Sequence, residues 1–150
     1  MTTAERLVIL ADQREKILWQ FSPNVALQRA FLETADYTAA GLTDRVCIER
    51  KSKEDFVSSC THGRERLDDE CRRMGAYDLF RAIILEGSIE EIRAHAYRSK
   101  AHPNSIIGSA VAFHVDYGVP VIWAGNAACA ANMCERILTR LWKKHVQVTT

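Results

Sequence analysis

Two acidic residues and a lysine could meet where an apolar segment of this sequence ends. The apolar residues 46–48 run directly into Glu49, Arg50 and Lys51. Side chains alternate along an extended chain, so Glu49 and Lys51 point to one side and Arg50 points to the other. Asp36 precedes the turn that leads into this segment and could add a second carboxylate beside Glu49.

Two carboxylates and one ammonium group are suited to the hydrolysis of a phosphodiester. Carboxylate oxygens are the ligands that Mg²⁺ or Mn²⁺ prefers, and such an ion leaves positions for water and phosphate oxygens. The ion lowers the pKa of a bound water and stabilises the charge of in-line phosphoryl transfer. Lys51 could orient the attacking water or neutralise charge on the phosphate. Glu-x-Lys is nevertheless a common sequence, and on an exposed strand it would be only a solvated charge pair.

Apolar runs bounded by charged or turn residues predict the strands that would position these groups. Residues 37–44, which include Gly41, predict a turn between two paired strands, and residues 25–33 fit either a strand or a short helix. The predicted strands are 7–11, 25–33, 45–49, 77–85 and 119–123, with Pro120 indicating an edge or the start of a strand.

Capping residues and helical spacing predict the helices. Ser52 is a good N-cap for a helix that His62-Gly63 could interrupt, and Ser88 to Glu91 has capping-box spacing. Residues 105–116 predict a further helix that ends at Gly118, and Asn126 begins a last helix to about residue 145. The order β-β-β-α-β-α-α-β-α predicts an α/β domain with a mixed central sheet flanked by helices.

Composition fits one globular domain and excludes several classes of protein. The 150 residues are 47% hydrophobic and 26% charged, with a net charge of only +1, which gives no electrostatic argument for a nucleic-acid binder. No apolar run approaches the ~18 residues that span a bilayer, so we expect no membrane association. The five cysteines form no C-x-x-C pair, which predicts reduced, mostly buried thiols and no zinc site.

Several motifs together resemble the nuclease domain of the XPF/Mus81/Hef (ERCC4) family. These motifs are D-x-R-E from position 12, Asp-Tyr at 36–37, E-R-K-x-x-x-D at 49–55, His-Gly-Arg at 62–64, and the segments 84–92 and 102–123. The resemblance covers about residues 7–145. It implies a restriction-endonuclease-like (PD-(D/E)XK) three-layer fold and a metal-dependent, structure-selective DNA endonuclease. Such an enzyme would cut branched DNA, such as flaps and forks, in repair or recombination.

The resemblance also implies roles for individual residues, with Mg²⁺ or Mn²⁺ as the cofactor. Ala35 stands where the family usually has glycine before the metal-binding aspartate. The implied catalytic residues are Asp36, Glu49, Arg50, Lys51 and Asp55; the implied metal ligands are Asp36, Glu49 and Asp12; and the implied DNA-binding residues are Arg14, Lys53 and Arg64.

Partners and alternatives also follow from the resemblance. The 150 residues hold a single nuclease domain with no helix-hairpin-helix or helicase segment, so we expect a compact, cytoplasmic enzyme of prokaryotic or phage origin. Domains of the family pair through helices, so the resemblance implies a homodimer through the C-terminal helices. The last predicted helix has an apolar face formed by Met133, Ile137, Leu141 and Trp142. Such a face is more commonly buried in the core of its own domain than in a dimer interface. The alternatives are a non-catalytic DNA-binding or scaffold subunit of the same fold, a Holliday-junction resolvase-like nuclease, and an end-trimming exonuclease.

Overall fold

The computed structural model describes residues 6–147, which form one mixed sheet with helices on both faces. The order of the strands across the sheet is β2-β1-β3-β4-β5-β6. Strand β3 is antiparallel to both β1 and β4, while the other neighbours pair in parallel. The strands are β1 (Val8–Asp12), β2 (Ala26–Ala30), β3 (Tyr37–Ala39), β4 (Val46–Ser52), β5 (Phe80–Glu86) and β6 (Val121–Trp123). The predicted mixed α/β architecture is confirmed.

The helices begin and end largely where the capping residues predict. Ser52 Oγ accepts a hydrogen bond from the Asp55 amide, Ser88 forms the full capping box, and Asn126 caps the last helix. The helices are α1 (Lys53–Cys60), α2 (Arg64–Met74), α3 (Ile89–Arg93), α4 (Pro103–Tyr117) and α5 (Ala127–His145). The break between α1 and α2 falls at residues 61–63, as predicted. None of the described helices combines the length and the apolar character needed to cross a membrane.

Several sequence-based boundaries were wrong, including the end of β4, which is Ser52 rather than residue 49, and the start of β5, which is Phe80 rather than residue 77. Residues 37–39 belong to a sixth strand rather than to a turn, because β3 is hydrogen-bonded on both sides within the sheet. Helix α4 begins at Pro103, two residues before the predicted start, since His102 Nδ1 accepts a hydrogen bond from the Asn104 amide and proline suits the first helical turn. The ambiguous segment 25–33 contains a strand, β2, at the edge of the sheet.

Each face of the sheet has its own hydrophobic core. Strand β4 shows the alternation: Val46 and Ile48 pack with α5 and the buried Trp19, whereas Cys47 packs with α1, α2 and α4. We call the first the α5 face and the second the α2 face. The predicted fate of Trp142 is confirmed, since it is buried in the core of the α5 face. Four of the five cysteines are buried and all are free thiols, as predicted.

Candidate active site

The register of the sheet aligns three acidic residues across three neighbouring strands. Ala11 pairs with Tyr37 and Tyr37 pairs with Ile48, so the next positions, Asp12, Asp36 and Glu49, lie side by side. The backbone continues the pairing, with the Asp12 amide 2.8 Å from the Asp36 carbonyl oxygen. Residues opposite each other on adjacent strands point to one face. The three side chains therefore form a row on the α2 face, which we call the carboxylate row.

The centre of the row is crowded with negative charge. The Asp36 and Glu49 carboxylates lie within hydrogen-bonding reach of each other. Burial raises the pKa of Asp36 in spite of a hydrogen bond of 2.8 Å from the Arg50 amide to its Oδ2. Burial, and then the charge of Asp36, raise the pKa of Glu49 well above its ordinary range. Without a cation, the pair is therefore costly to ionise fully.

Glu49 carries the feature that best fits a metal ion. Its residue surface is 7% exposed, and its Oε1 is the one buried side-chain oxygen or nitrogen in residues 6–147 that lacks a hydrogen-bond partner. An unpaired buried carboxylate oxygen is costly, and a divalent cation would satisfy it. Lys51 follows on the same side, with its Nζ 3.7 Å from the other Glu49 oxygen. Hard oxygen donors with one neighbouring ammonium suit Mg²⁺ or Mn²⁺.

Asp12 is part of the row but is already engaged by hydrogen bonds. Its Oδ1 accepts from the Leu32 amide at 2.9 Å, and its Oδ2 accepts from Arg14 Nε at 2.6 Å. Burial acts to raise the pKa of Asp12, but these hydrogen bonds outweigh it and the net shift is downward. As placed, no three His, Cys, Asp or Glu side chains of the described chain form a complete ligand set. The role of Asp12 as a metal ligand stays a prediction.

Arg50 lies behind the row, as the alternation along β4 predicts. On the α5 face, its Nε donates to Glu86 Oε2 at 2.8 Å, and its guanidinium stacks over the ring of Trp19 at 5.0 Å. Another donor reaches the Ile17 carbonyl oxygen at 2.7 Å, and Glu15 lies 3.9 Å away. The resemblance to the family implies a catalytic role for Arg50. In the structure, however, its contacts hold the loop after β1 against the end of β4.

The remaining predicted site residues lie around the row rather than in it. Asp55 is exposed in the first turn of α1, and Lys53 forms an ion pair with Glu91 at 3.2 Å. Arg14 bonds to Asp12 yet leaves 65% of its side chain exposed, so it can also meet a phosphate. The Arg64 guanidinium makes more contacts within the protein, which leave it less available for DNA: it donates hydrogen bonds to Asp68 and to Ser109, and it lies over the Phe113 ring. None of these roles is tested by the geometry alone.

The sequence analysis missed one acidic residue of the site. Glu70, on α2, lies near enough to Glu49 and Asp36 for its negative charge to raise the pKa of both carboxyl groups. A signal existed: Leu67, Cys71 and Met74 form the buried face of α2, and Glu70 lies on the border of that face. Only the packing of α2 against the sheet reveals which strand this border meets.

The sheet topology and the carboxylate row define the class of protein, a restriction-endonuclease-like domain. The fold agrees with two solved structures of XPF from Aeropyrum pernix, one of them in complex with DNA; both have a TM-score of 0.68, with 22% and 24% sequence identity. These matches cover 89% and 97% of this chain and 60% and 68% of the solved chains.

The family follows from the sequence itself. The model of the ERCC4 domain matches residues 11–137, so the chain belongs to the ERCC4 domain family. The chain is 30% identical to the 3′-flap repair endonuclease Xpf of Saccharolobus solfataricus over 135 residues, and 31% identical over 130 residues to a Methanocaldococcus jannaschii protein that carries the name of an ATP-dependent RNA helicase. Each match covers 86% of this chain, but the chain spans only 53% and 15% of these two relatives.

Proposed function

We propose that this chain is a metal-dependent, structure-selective DNA endonuclease that hydrolyses phosphodiester bonds in branched DNA such as flaps and forks. The unpaired, buried Oε1 of Glu49, beside Asp36 and Lys51, carries the proposal. Membership of the ERCC4 domain family, and similarity to a relative named as a flap endonuclease, support it. The proposed context is DNA repair or recombination, and a cytoplasmic location stays a prediction.

In this proposal, Asp36 and Glu49 hold Mg²⁺ or Mn²⁺, with Asp12 at the end of the row. The bound ion would lower the pKa of the attacking water and offset charge on the phosphate. The Lys51 ammonium shares the Glu49 side of β4, where it would donate to a phosphate oxygen or orient the water. Arg50 acts as a positioning residue, because its contacts with Glu86 and Trp19 hold the end of β4 in place.

Cleavage of a panel of branched DNAs, mapped at nucleotide resolution with Mg²⁺ or Mn²⁺, tests the proposal. Asp36→Asn and Glu49→Gln should abolish cleavage while retaining the folded circular-dichroism spectrum, and the exposed Glu33→Gln serves as the control. Flaps, forks and Holliday junctions that all stay intact with either metal would refute it. DNA binding without cleavage and without heat of Mn²⁺ binding would instead indicate a scaffold subunit. Preferential cutting of Holliday junctions would indicate a resolvase.

Contact with DNA should depend on Arg14 more than on Arg64. Arg14 exposes most of its side chain beside the row, whereas Arg64 ties α2 to α4 through Ser109 and Phe113. We expect Arg14→Ala to weaken flap binding in a fluorescence-anisotropy titration, with some loss of stability because the buried Asp12 carboxylate loses the hydrogen bond from Arg14 Nε. Arg64→Ala should chiefly lower the thermal midpoint. The reverse assignment would show that Arg64 is the phosphate contact.

We further propose a homodimer, with α4 supplying more of the interface than the sequence suggested. Val111 and Val115 expose 57% and 77% of their surfaces and border a cavity of about 190 Å³ with Trp123. On α5, Ile137 and Leu141 pack against the core, and Met133 keeps 38% of its surface exposed. Val115→Lys should convert dimer to monomer in sedimentation experiments, whereas the neighbouring control Asp116→Lys should not. A monomeric parent chain would contradict the proposal.

A further inference from the structure

The outer side of α5 forms one wall of a groove that is lined by cations. The groove has a volume of about 560 Å³, and Ser22 and Asn24, from the loop before β2, form its other wall. Along α5 it is lined by Asn132, Glu135, Arg136, Thr139, Arg140 and Lys143. Because the three cations are exposed and follow one another at three or four residues, their charges form a line along the helix. We call this surface the α5 groove.

The acidic residue that lines the α5 groove is used within the protein. Glu135 Oε1 accepts a hydrogen bond from the Ser22 amide at 2.8 Å, and its Oε2 accepts one from the Ser22 hydroxyl at 2.5 Å. The Ser22 oxygen in turn accepts a hydrogen bond from the Asn24 amide at 3.3 Å. These bonds hold the loop before β2 against α5, so both walls of the groove are fixed by the fold itself.

The cations of the α5 groove differ from most structural arginines of this chain in having no acidic partner. Within residues 6–147, none of the three forms an ion pair, and Arg136 Nε donates instead to the neutral Asn132 Oδ1 at 2.9 Å. The arginines that do pair with an Asp or Glu are Arg14, Arg45, Arg50, Arg64 and Arg72. The groove therefore concentrates positive charge in a chain whose net charge is only +1.

The dipole of α5 explains only part of this charge. Lys143, Lys144 and His145 lie in the last turn, where the negative end of the helix stabilises cations. Arg136 and Arg140 lie before that turn, and the effect of the dipole fades beyond it. Unpaired cations next to serine, threonine and asparagine side chains are, however, the donors that contact phosphate oxygens of nucleic acids. The composition of the groove thus fits a polyanion with regularly spaced phosphates.

The α5 groove and the carboxylate row lie on opposite faces of the sheet. Helix α5 packs on the α5 face, whereas the row lies on the α2 face. Helix α5 begins after β6, at the edge where the parallel strands β1, β4 and β5 end, and Arg136 and Lys143 follow about 14 and 24 Å along its axis. A nucleic acid that contacts both sites must therefore pass around this edge. Branched DNA meets that condition, because its arms leave the branch in different directions.

We propose that the α5 groove binds the sugar-phosphate backbone of a second arm of branched DNA, other than the arm that is cut at the carboxylate row. The inference rests on the proposed function, because it takes the same substrate, but it involves no metal ion and no residue of the row. Arg136, Arg140 and Lys143 contact phosphates, and Asn24 and Thr139 add neutral donors. The groove favours branched over linear DNA, since a linear duplex at the row has no second arm.

The salt dependence of fork binding tests this inference without reference to cleavage. Affinity is measured by fluorescence anisotropy with a chelator present, at a series of salt concentrations. Replacing Arg136, Arg140 and Lys143 together by glutamine should reduce the slope of log affinity against log salt by about 0.9 for each lost phosphate contact, hence by about 2.7. The thermal midpoint should stay close to that of the parent, because all three side chains are exposed.

A matched pair of single changes separates the α5 groove from a general effect of charge. Arg140→Gln and Lys144→Gln each remove one exposed cation from the same helix, but only Arg140 lines the groove. We expect Arg140→Gln to reduce the slope by about 0.9 and Lys144→Gln to leave it unchanged. Equal effects of the two changes would overturn the inference.

Shortening the arms of the fork identifies the bound segment. Removal of the uncut arm should reduce the slope for the parent and leave that of the triple variant unchanged. A triple variant that keeps the slope of the parent on the fork, or that loses as much on a linear duplex as on the fork, overturns this inference alone. A parent chain that neither binds nor cuts branched DNA overturns both the inference and the proposed function.

Discussion

Replacement of Glu15 by glutamine should make this protein more stable at neutral pH and leave its stability unchanged in acid. Glu15 leaves 23% of its side chain exposed beside Arg50. Burial, and then the charge of Asp36, raise the pKa of Glu15 from 4.5 to about 6, and the nearby Arg50 offsets only part of this rise. The folded chain therefore binds this proton more tightly than the unfolded chain does.

The sign and size of the effect follow from linkage. Below pH 4.5 the carboxyl is protonated in both states, and as the pH rises through 4.5 to about 6 the stability falls. A pKa difference of this size corresponds to about 2 kcal/mol at a pH above both values. Partial solvent exposure lowers our expectation for Glu15→Gln to about 1 kcal/mol of added stability at pH 7.

Urea denaturation of the parent and of Glu15→Gln at a series of pH values from 4 to 7 measures this difference. The gap between the two unfolding free energies should open across the window from 4.5 to 6 and then stay constant. Glu33→Gln, an exposed change in a nearby loop, should show no such opening. Added Mg²⁺ should narrow the gap at pH 7, since a cation at the row stabilises ionised Glu15. A gap that is constant from pH 4 to 7, or of opposite sign, refutes the reasoning.

Three further predictions concern the parts around the row. Arg50→Met should lower the free energy of unfolding by about 3 kcal/mol, because it leaves the Glu86 carboxylate without its ion pair; a loss below 1 kcal/mol in urea would contradict this. Glu49→Gln should stabilise the metal-free protein at pH 7 while abolishing cleavage, because the raised pKa of Glu49 makes its ionisation costly in the folded state; a lower thermal midpoint would contradict the sign. Ala35 has a φ of 67°, so Ala35→Val should cost about 2 kcal/mol while Ala35→Gly stays within about 1 kcal/mol of the parent in thermal unfolding; equal stabilities of the two variants would show that the backbone there is not strained.

The positions predicted best from sequence are those where a short stretch of chain decides the outcome. The opposite directions of Lys51 and Arg50 follow from the pleat of one strand, and the contacts of both residues agree with it. Ser52 and Ser88 cap their helices because capping needs only the next three residues. Local rules of this kind also gave the alternating apolar segments and hence the α/β class.

Strand β3 shows where local rules end. It has three residues, too few for a hydrophobic period to be recognised, and residues 37–39 are all buried. It is a strand because β1 and β4 both supply hydrogen-bond partners, and the partners in β1 lie far along the chain. Because β3 lies between β1 and β4 in the sheet, Asp36, the residue before β3, lies beside both Asp12 and Glu49. The carboxylate row therefore depends on the pairing of β3 with β1, which the sequence did not reveal.

The sequence by itself determined which side of β4 carries Glu49 and Lys51, because side-chain alternation is a property of the extended backbone. Its motifs also identified the family, and with it the candidate ligands. Only the tertiary structure decided that Arg50 joins Glu86 and Trp19 on the other face, and that Glu70 approaches from α2. These contacts join residues 21 to 36 positions apart in the chain, and their geometry depends on how helices and loops pack on the sheet rather than on any local preference.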